Sequence, residues 1–154
     1  MRYAYVGCRT TKERNARGEG LKTYEIQPDG SWKCLQCLET EPNPSFQTLD
    51  GEGKYLSRVH GDITKVSSYR FLKDHTLEHI NTIDIGGRNP VDITVDRNNQ
   101  HVIVATLQGG TIYTIDRKND GSLGEVIAEF TSEAKEPGKE STLNQCLWTK
   151  KKNF

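Results

Sequence analysis

An all-β chain of β-propeller-type blades, each a meander of four antiparallel strands in an incomplete ring, is what three features of this sequence predict. The first is a repeat. Asn43-Pro44-Ser-Phe-Gln-Thr48-Leu-Asp50 returns 46 residues later as Asn89-Pro90-Val-Asp-Ile-Thr94-Val-Asp96. Without a gap, the same offset sets Val66 on Ile112, Ser68 on Thr114, Asp74 on Asp120 and Leu77 on Leu123. The second is an echo near the start, where Leu21, Tyr24, Asp29 and Trp32 stand 45 residues before Val66, Tyr69, Asp74 and Leu77. The third is the lack of helical periodicity: short runs of strand formers alternate with turn residues throughout. A period of about 40–50 residues built from short strands is the sequence mark of propeller blades. The rival is an irregular β-sandwich with a chance repeat, and a match that covers strand, turn and strand together argues against it.

The elements follow in order. Residues 2–8 read as a strand and 9–20, rich in Thr, Lys, Arg, Asn and Gly, as a loop. Residues 21–26 and 31–39 read as strands joined by Gln27-Pro-Asp-Gly30, in which proline presets φ and glycine tolerates the positive φ that follows. The first full unit gives strands over 44–49, 54–59, 65–71 and 77–84, and the second over 90–95, 101–106, 110–116 and 124–130. Their connections, such as Asp50-Gly-Glu-Gly53, Gln108-Gly-Gly110 and Asn119-Asp-Gly121, carry hairpin turn chemistry. The chain thus divides into a partial propeller over 1–130 and a polar, basic tail over 131–154. The propeller part comprises N-terminal strands within 2–39, a blade over 43–85 and a blade over 89–130. The tail, whose last apolar pair is Leu147 and Trp148, is expected to be disordered or loosely docked.

Composition narrows the function. Formal net charge is zero, which gives no electrostatic case for a nucleic-acid partner or an anionic membrane surface. No apolar run approaches the roughly 20 residues that span a bilayer. Met-Arg-Tyr-Ala-Tyr-Val-Gly-Cys at the start lacks a long apolar core and runs straight into a strand pattern, so no secretory signal is expected. Four cysteines without such a signal read as reduced thiols of a cytoplasmic protein.

Five segments carry a resemblance. Asn43-Pro-Ser-Phe, Val59-His-Gly-Asp62, Val66-Ser-Ser-Tyr-Arg-Phe71, Gly86-Gly-Arg-Asn-Pro90 and Asp120-Gly-Ser-Leu-Gly124 stand in the order found in the lactonase family of seven-bladed β-propellers. That family includes bacterial 6-phosphogluconolactonase and the fungal carboxymuconate cyclases. The resemblance runs from about Tyr3 to about Phe130 and implies hydrolysis of a small sugar lactone without a cofactor. Seven blades need roughly 320 residues, so the chain resembles the first two blades and part of a third position. A truncated, inactive product is the resulting expectation, together with self-association through open blade edges. The family usually has a histidine two residues after the Gly-Gly-Arg-Asn-Pro proline, and Asp92 stands there in this chain.

Lactone hydrolysis needs a base for water and a donor or cation for the developing oxyanion. Asp92 and His60 are the catalytic candidates, with Asp62 beside His60 on the same connection. Arg88 and Asn89 are the substrate-binding candidates, since Arg88 could hold a phosphate or carboxylate bidentately. The alternative is architectural: Asn89 caps a turn as Asn43 does, and Asp92 is a solvated residue of the polar face with Thr94 and Asp96. No metal site is expected. Cys34-Leu-Gln-Cys37 lacks a second ligand pair at finger spacing, and on a regular strand residues three apart face opposite ways. Other readings remain open, namely a non-catalytic β fragment or a propeller-type binding module.

Overall fold

The computed structural model describes residues 1–147; Trp148 and the lysines after it lie outside the described residues. Eleven strands form three antiparallel sheets. The first blade holds β1 (Arg2–Gly7), β2 (Leu21–Ile26) and β3 (Trp32–Leu38). The second holds β4 (Pro44–Leu49), β5 (Tyr55–His60), β6 (Lys65–Phe71) and β7 (Leu77–Asp84). The third holds β8 (Pro90–Val95), β9 (His101–Thr106), β10 (Thr111–Arg117) and β11 (Leu123–Thr131). Each full unit of the repeat is therefore one four-stranded meander, with every strand within a residue or so of its expected place. The loop after β1 contains a 3₁₀ turn at Lys12–Arg14. Among the described residues no helix is long and apolar enough to cross a membrane.

The repeat extends to the irregularities. In the innermost pair of each full blade one residue is extra, Ser45 between β4 and β5 and Val91 between β8 and β9. In the outermost pairs the extra residues are Leu35, Ile80 and Ile127, and the third blade adds a second register shift between Ile115 and Arg117. Such bulges bend a strand and increase its twist. They also shift which side chains share a face, which sequence alternation alone does not show.

Blades stack through two apolar clusters. Between the second and third blades lie Val59, Val66, Ile85, Ile93, Val102, Val104, Tyr113, Ile115 and Leu123. Between the first and second lie Leu21, Leu56, Tyr69 and Leu77, backed by Tyr5, Leu38 and Phe71. A repeated clamp closes the outer rim of both joints. Gln36 of β3 gives Nε2–H to Leu77 O (2.8 Å) and accepts Leu77 N–H at Oε1 (2.9 Å). Asn81 of β7 does the same to Leu123, at 2.8 and 2.9 Å. The equivalent place on β11, opposite Thr114, is Ala128, which cannot form this clamp.

Residues 132–147 take no strand, yet they lie against the open side of the third blade. Ser132 N–H donates to Gly110 O (2.9 Å), Leu143 N–H to Thr106 O (3.4 Å) and Cys146 N–H to Asp92 Oδ2 (2.7 Å). In these three bonds the tail contributes only backbone N–H groups.

Candidate functional site

The candidates gather at the end of the blades where β4 and β8 begin. Asn43 and Asn89 adopt left-handed backbone there, with φ of 52° and 55°, a conformation asparagine tolerates better than most residues. Each side chain then reaches the preceding blade. Asn43 Oδ1 accepts from Thr10 N–H (3.0 Å) and Thr11 N–H (3.2 Å), and its Nδ2 donates to Asp62 Oδ2 (3.2 Å). Asn89 Oδ1 accepts from Asp62 N–H (3.0 Å), and Asn89 N–H donates to Ile63 O (3.1 Å). Asp62 also pairs with Arg9 at 2.5 Å. A belt of hydrogen bonds thus runs from Thr10 through Asn43 and Asp62 to Asn89. The Asn-Pro repeat exists because this belt recurs at each blade.

Arg88 stands beside Asn89 and points to solvent. Its side chain is 61% exposed and holds Glu140 of the tail at 2.9 Å, itself 63% exposed. An exposed pair of this kind contributes about 0–1 kcal/mol. Arg88 is therefore free to exchange that carboxylate for another anion.

Asp92 is not on a solvated face. It is 4% exposed, because the tail covers it and Cys146 N–H donates to its Oδ2 at 2.7 Å. Burial, and after it the Asp92 charge, pushes the Cys146 thiol up to about 12. That thiol stays protonated and faces Ile103 O at 3.9 Å.

His60 ends β5 with no exposed surface. Its Nδ1 lies 3.1 Å from Glu41 O and 3.2 Å from Pro42 O. Carbonyls only accept, so Nδ1 carries the proton and Nε2 is the acceptor. The rest of the chain is then ordered. Ser67 O–H donates to His60 Nε2 (2.8 Å), Thr82 O–H to Ser67 Oγ (2.7 Å) and His79 Nε2–H to Thr82 Oγ1 (2.8 Å). Desolvation, joined by the charge of Arg58, lowers the His60 pKa to about 4. The ring is neutral at physiological pH and fully used by structure.

Asn89 and the His60–Asp62 connection are thus brought together, with Arg88 beside them, whereas the two catalytic candidates are not. Val59 and Ile93 both enter the cluster between the second and third blades. Side chains alternate along a strand, so His60 faces the first blade and Asp92 faces the tail. Their hydrogen-bond partners differ accordingly, the Glu41–Pro42 link for His60 and Cys146 for Asp92.

Sequence reasoning missed Arg58. It is 1% exposed, and among the described residues its Nε and Nη1 have no partner. Its Nη2 packs over Gly7, where a Cβ would come within 2.0 Å. Gln47, directly opposite on β4, gives Nε2–H to Tyr5 O (2.6 Å) while its Oε1 is also unpartnered. Burial lowers the Arg58 pKa to about 10. Its only sequence signal was a charge within an otherwise buried strand. The same joint holds a cavity of about 350 Å³ lined by Glu39, Thr40, Glu41, Tyr69, His79 and Thr82. Among the described residues no group of three or more His, Cys, Asp and Glu side chains is placed to hold a metal ion.

Comparison with known proteins agrees with this architecture. The family model described as Lactonase, 7-bladed beta-propeller, matches residues 3–146. A 6-phosphogluconolactonase of Formosa agariphila is 26% identical over 136 residues, which is 82% of this chain and 37% of that protein. A crystal structure from Bacteroides fragilis superposes with a TM-score of 0.76 at 25% identity, covering 90% of this chain and 38% of that one. The periplasmic gluconolactonase of Pseudomonas aeruginosa does so with a TM-score of 0.76 at 24% identity, covering 86% and 39%. The chain spans less than two fifths of the length of these relatives. With the model matched across all three blades, the chain belongs to the seven-bladed β-propeller lactonase family.

Proposed function

We infer that the chain serves hydrolysis of a sugar lactone of the 6-phosphogluconolactonase type, in the cytoplasm. The reaction adds one water across the ester: the ring C–O bond breaks, the carbonyl carbon becomes a carboxylate, and the ring oxygen becomes a hydroxyl. The observation that carries the reading is Arg88, an exposed guanidinium at the blade end, fixed at its base by the Asn89 turn and paired with exposed Glu140. In this role Arg88 takes the anionic group of the substrate bidentately. Asn89 sets the turn that aims it. Asp92 takes the proton from water once residue 146 leaves it, and His60 is a positioning residue that holds the Glu41–Pro42 backbone. Free cysteines support a reducing compartment.

The chain by itself is expected to bind without turning over. Oxyanion donors need positioning within a fraction of an ångström, and Asp92 is capped. A non-catalytic fragment that self-associates through its open blade edges is the second reading, favoured by exposed Ile127 and Phe130 on β11. Titration with 6-phosphogluconate, followed by NMR, tests both. Binding that Arg88→Ala weakens about tenfold, the loss of one exposed charge-assisted contact, supports the first. Absence of binding with concentration-dependent sedimentation supports the second. Lactone hydrolysis by the isolated chain above the spontaneous rate would show that the capped Asp92 does not limit it.

A further inference from the structure

The bulge in the outer pair of the first blade reverses the geometry expected of Cys34 and Cys37. Tyr24 pairs with Cys34 and Lys22 with Cys37, because Leu35 is extra. Residues 22 and 24 share a face, so their partners do too. Side-chain contacts agree: Tyr24 meets Trp32 with ring centroids 5.5 Å apart on one face, and Thr23 meets Gln36 at 3.4 Å on the other. Both cysteines are exposed and neither forms a disulfide. Cys34 Sγ leans along the strand, 3.5 Å from the carbonyl oxygen of Gln36, which is the peptide that precedes Cys37. Cys37 Sγ contacts Glu19 O at 3.8 Å.

Spacing decides what such a pair can do. Two residues of strand rise put the thiol-bearing positions about 6.6 Å apart. A disulfide needs Cβ atoms about 3.5–4.5 Å apart, so it would require the backbone to move. An ion shared by two thiolates adds two bonds of about 2.3 Å and fits without that movement. With no third ligand in reach among the described residues, the pair suits an ion content with two soft ligands. Thiolates select such ions, Cu(I) foremost.

We propose that Cys34 and Cys37 form a two-thiolate site for a soft monovalent cation of the Cu(I) or Ag(I) class on the exposed face of the first blade. Binding releases two protons, one from each thiol, and leaves a bis-thiolate complex with one negative charge, next to the Lys22 ammonium. The test is competition for Cu(I) between the reduced 154-residue chain and a coloured bidentate chelator, read as ions bound per chain. One ion per chain is expected, with Cys34→Ser and Cys37→Ser each lowering affinity about 100-fold through loss of the second, effectively intramolecular ligand. Cys8→Ser and Cys146→Ser should change nothing. A trivalent organoarsenical, which bridges paired thiols, should give one adduct that peptide mass mapping places across residues 34 and 37. Unchanged affinity in either Cys34→Ser or Cys37→Ser would overturn the site. So would two independent ions per chain, or ready closure of a 34–37 disulfide by oxidised glutathione.

Discussion

Between the second and third blades nine buried residues close a continuous apolar core, and the charge at its rim has a counterion, although Arg117 Nε is left without a partner among the described residues. Arg117 holds Asp50 at 3.1 Å, with side chains 4% and 3% exposed, donates to Asn99 O at 2.7 Å and stacks over Tyr55 at 5.0 Å. Between the first and second blades only four buried residues form the core. The charge there, Arg58, has no counterion among the described residues, and Gln47 keeps an idle oxygen. Both joints carry the same amide clamp and the same asparagine belt. They differ in whether the charge that stacking buries also finds a counterion. Repetition of sequence therefore secures the shared hydrogen bonds, while each joint acquires its own interior.

If the second joint depends on its ion pair, Asp50→Ala should produce the largest loss, about 3–5 kcal/mol, because it leaves Arg117 buried and uncompensated. Urea titration read by intrinsic fluorescence measures this, and a loss under 1 kcal/mol would mean that the pair is replaced by solvent. Acid should separate the joints next. The folded pKa of His60, about 4, lies below the ~6.5 of a free histidine. The unfolded chain thus takes the proton first as pH falls. The stabilising contribution is complete above pH 6.5 and disappears between 6.5 and 4, roughly 3 kcal/mol across the window. His60→Gln should flatten that part of the stability profile, and an unchanged slope would assign the acid sensitivity elsewhere.

Smaller effects sharpen the contrast. Gln36→Ala and Asn81→Ala each strand one N–H and one C=O of a buried residue, Leu77 or Leu123, at about 1–3 kcal/mol. Hydrogen exchange should localise the first to β3 and β7 and the second to β7 and β11; protection lost evenly across all blades would contradict separate joints. Arg58→Leu should act in the opposite direction and raise stability by about 1 kcal/mol, since it replaces an unpaired buried charge by apolar contact. Destabilisation by that variant would show that Arg58 has found a partner in solution.

Much of this was legible in the sequence. The Asn-Pro pairs marked each inner strand, and the Asp-Gly turns marked the hairpins, because those residues satisfy local backbone demands. The site was less legible. His60 and Asp92 look alike as polar residues near strand ends, and what separates them is the neighbour that covers each: the Glu41–Pro42 link for one and Cys146 for the other. Neither neighbour is close in sequence. The Cys34–Cys37 relation was misread because alternation assumes a regular ladder, and Leu35 breaks it without any distinctive residue type. Arg58 gave no pattern at all, since its isolation depends on what the first blade leaves unpaired.

The ordered hydrogen bonds from His79 to His60 make these four side chains a line with a sense. As they stand, every donor points inward, from the wall of the cavity toward the joint. A proton placed on His60 Nε2 turns Ser67 from donor to acceptor of that bond, and the reversal passes to Thr82. The Thr82 hydroxyl hydrogen is then released from Ser67 and turns outward, toward the cavity wall. An acid event at a buried ring is thereby written at the cavity wall as a reversed pair of hydroxyls, readable in the exchange of the Ser67 and Thr82 hydroxyl protons.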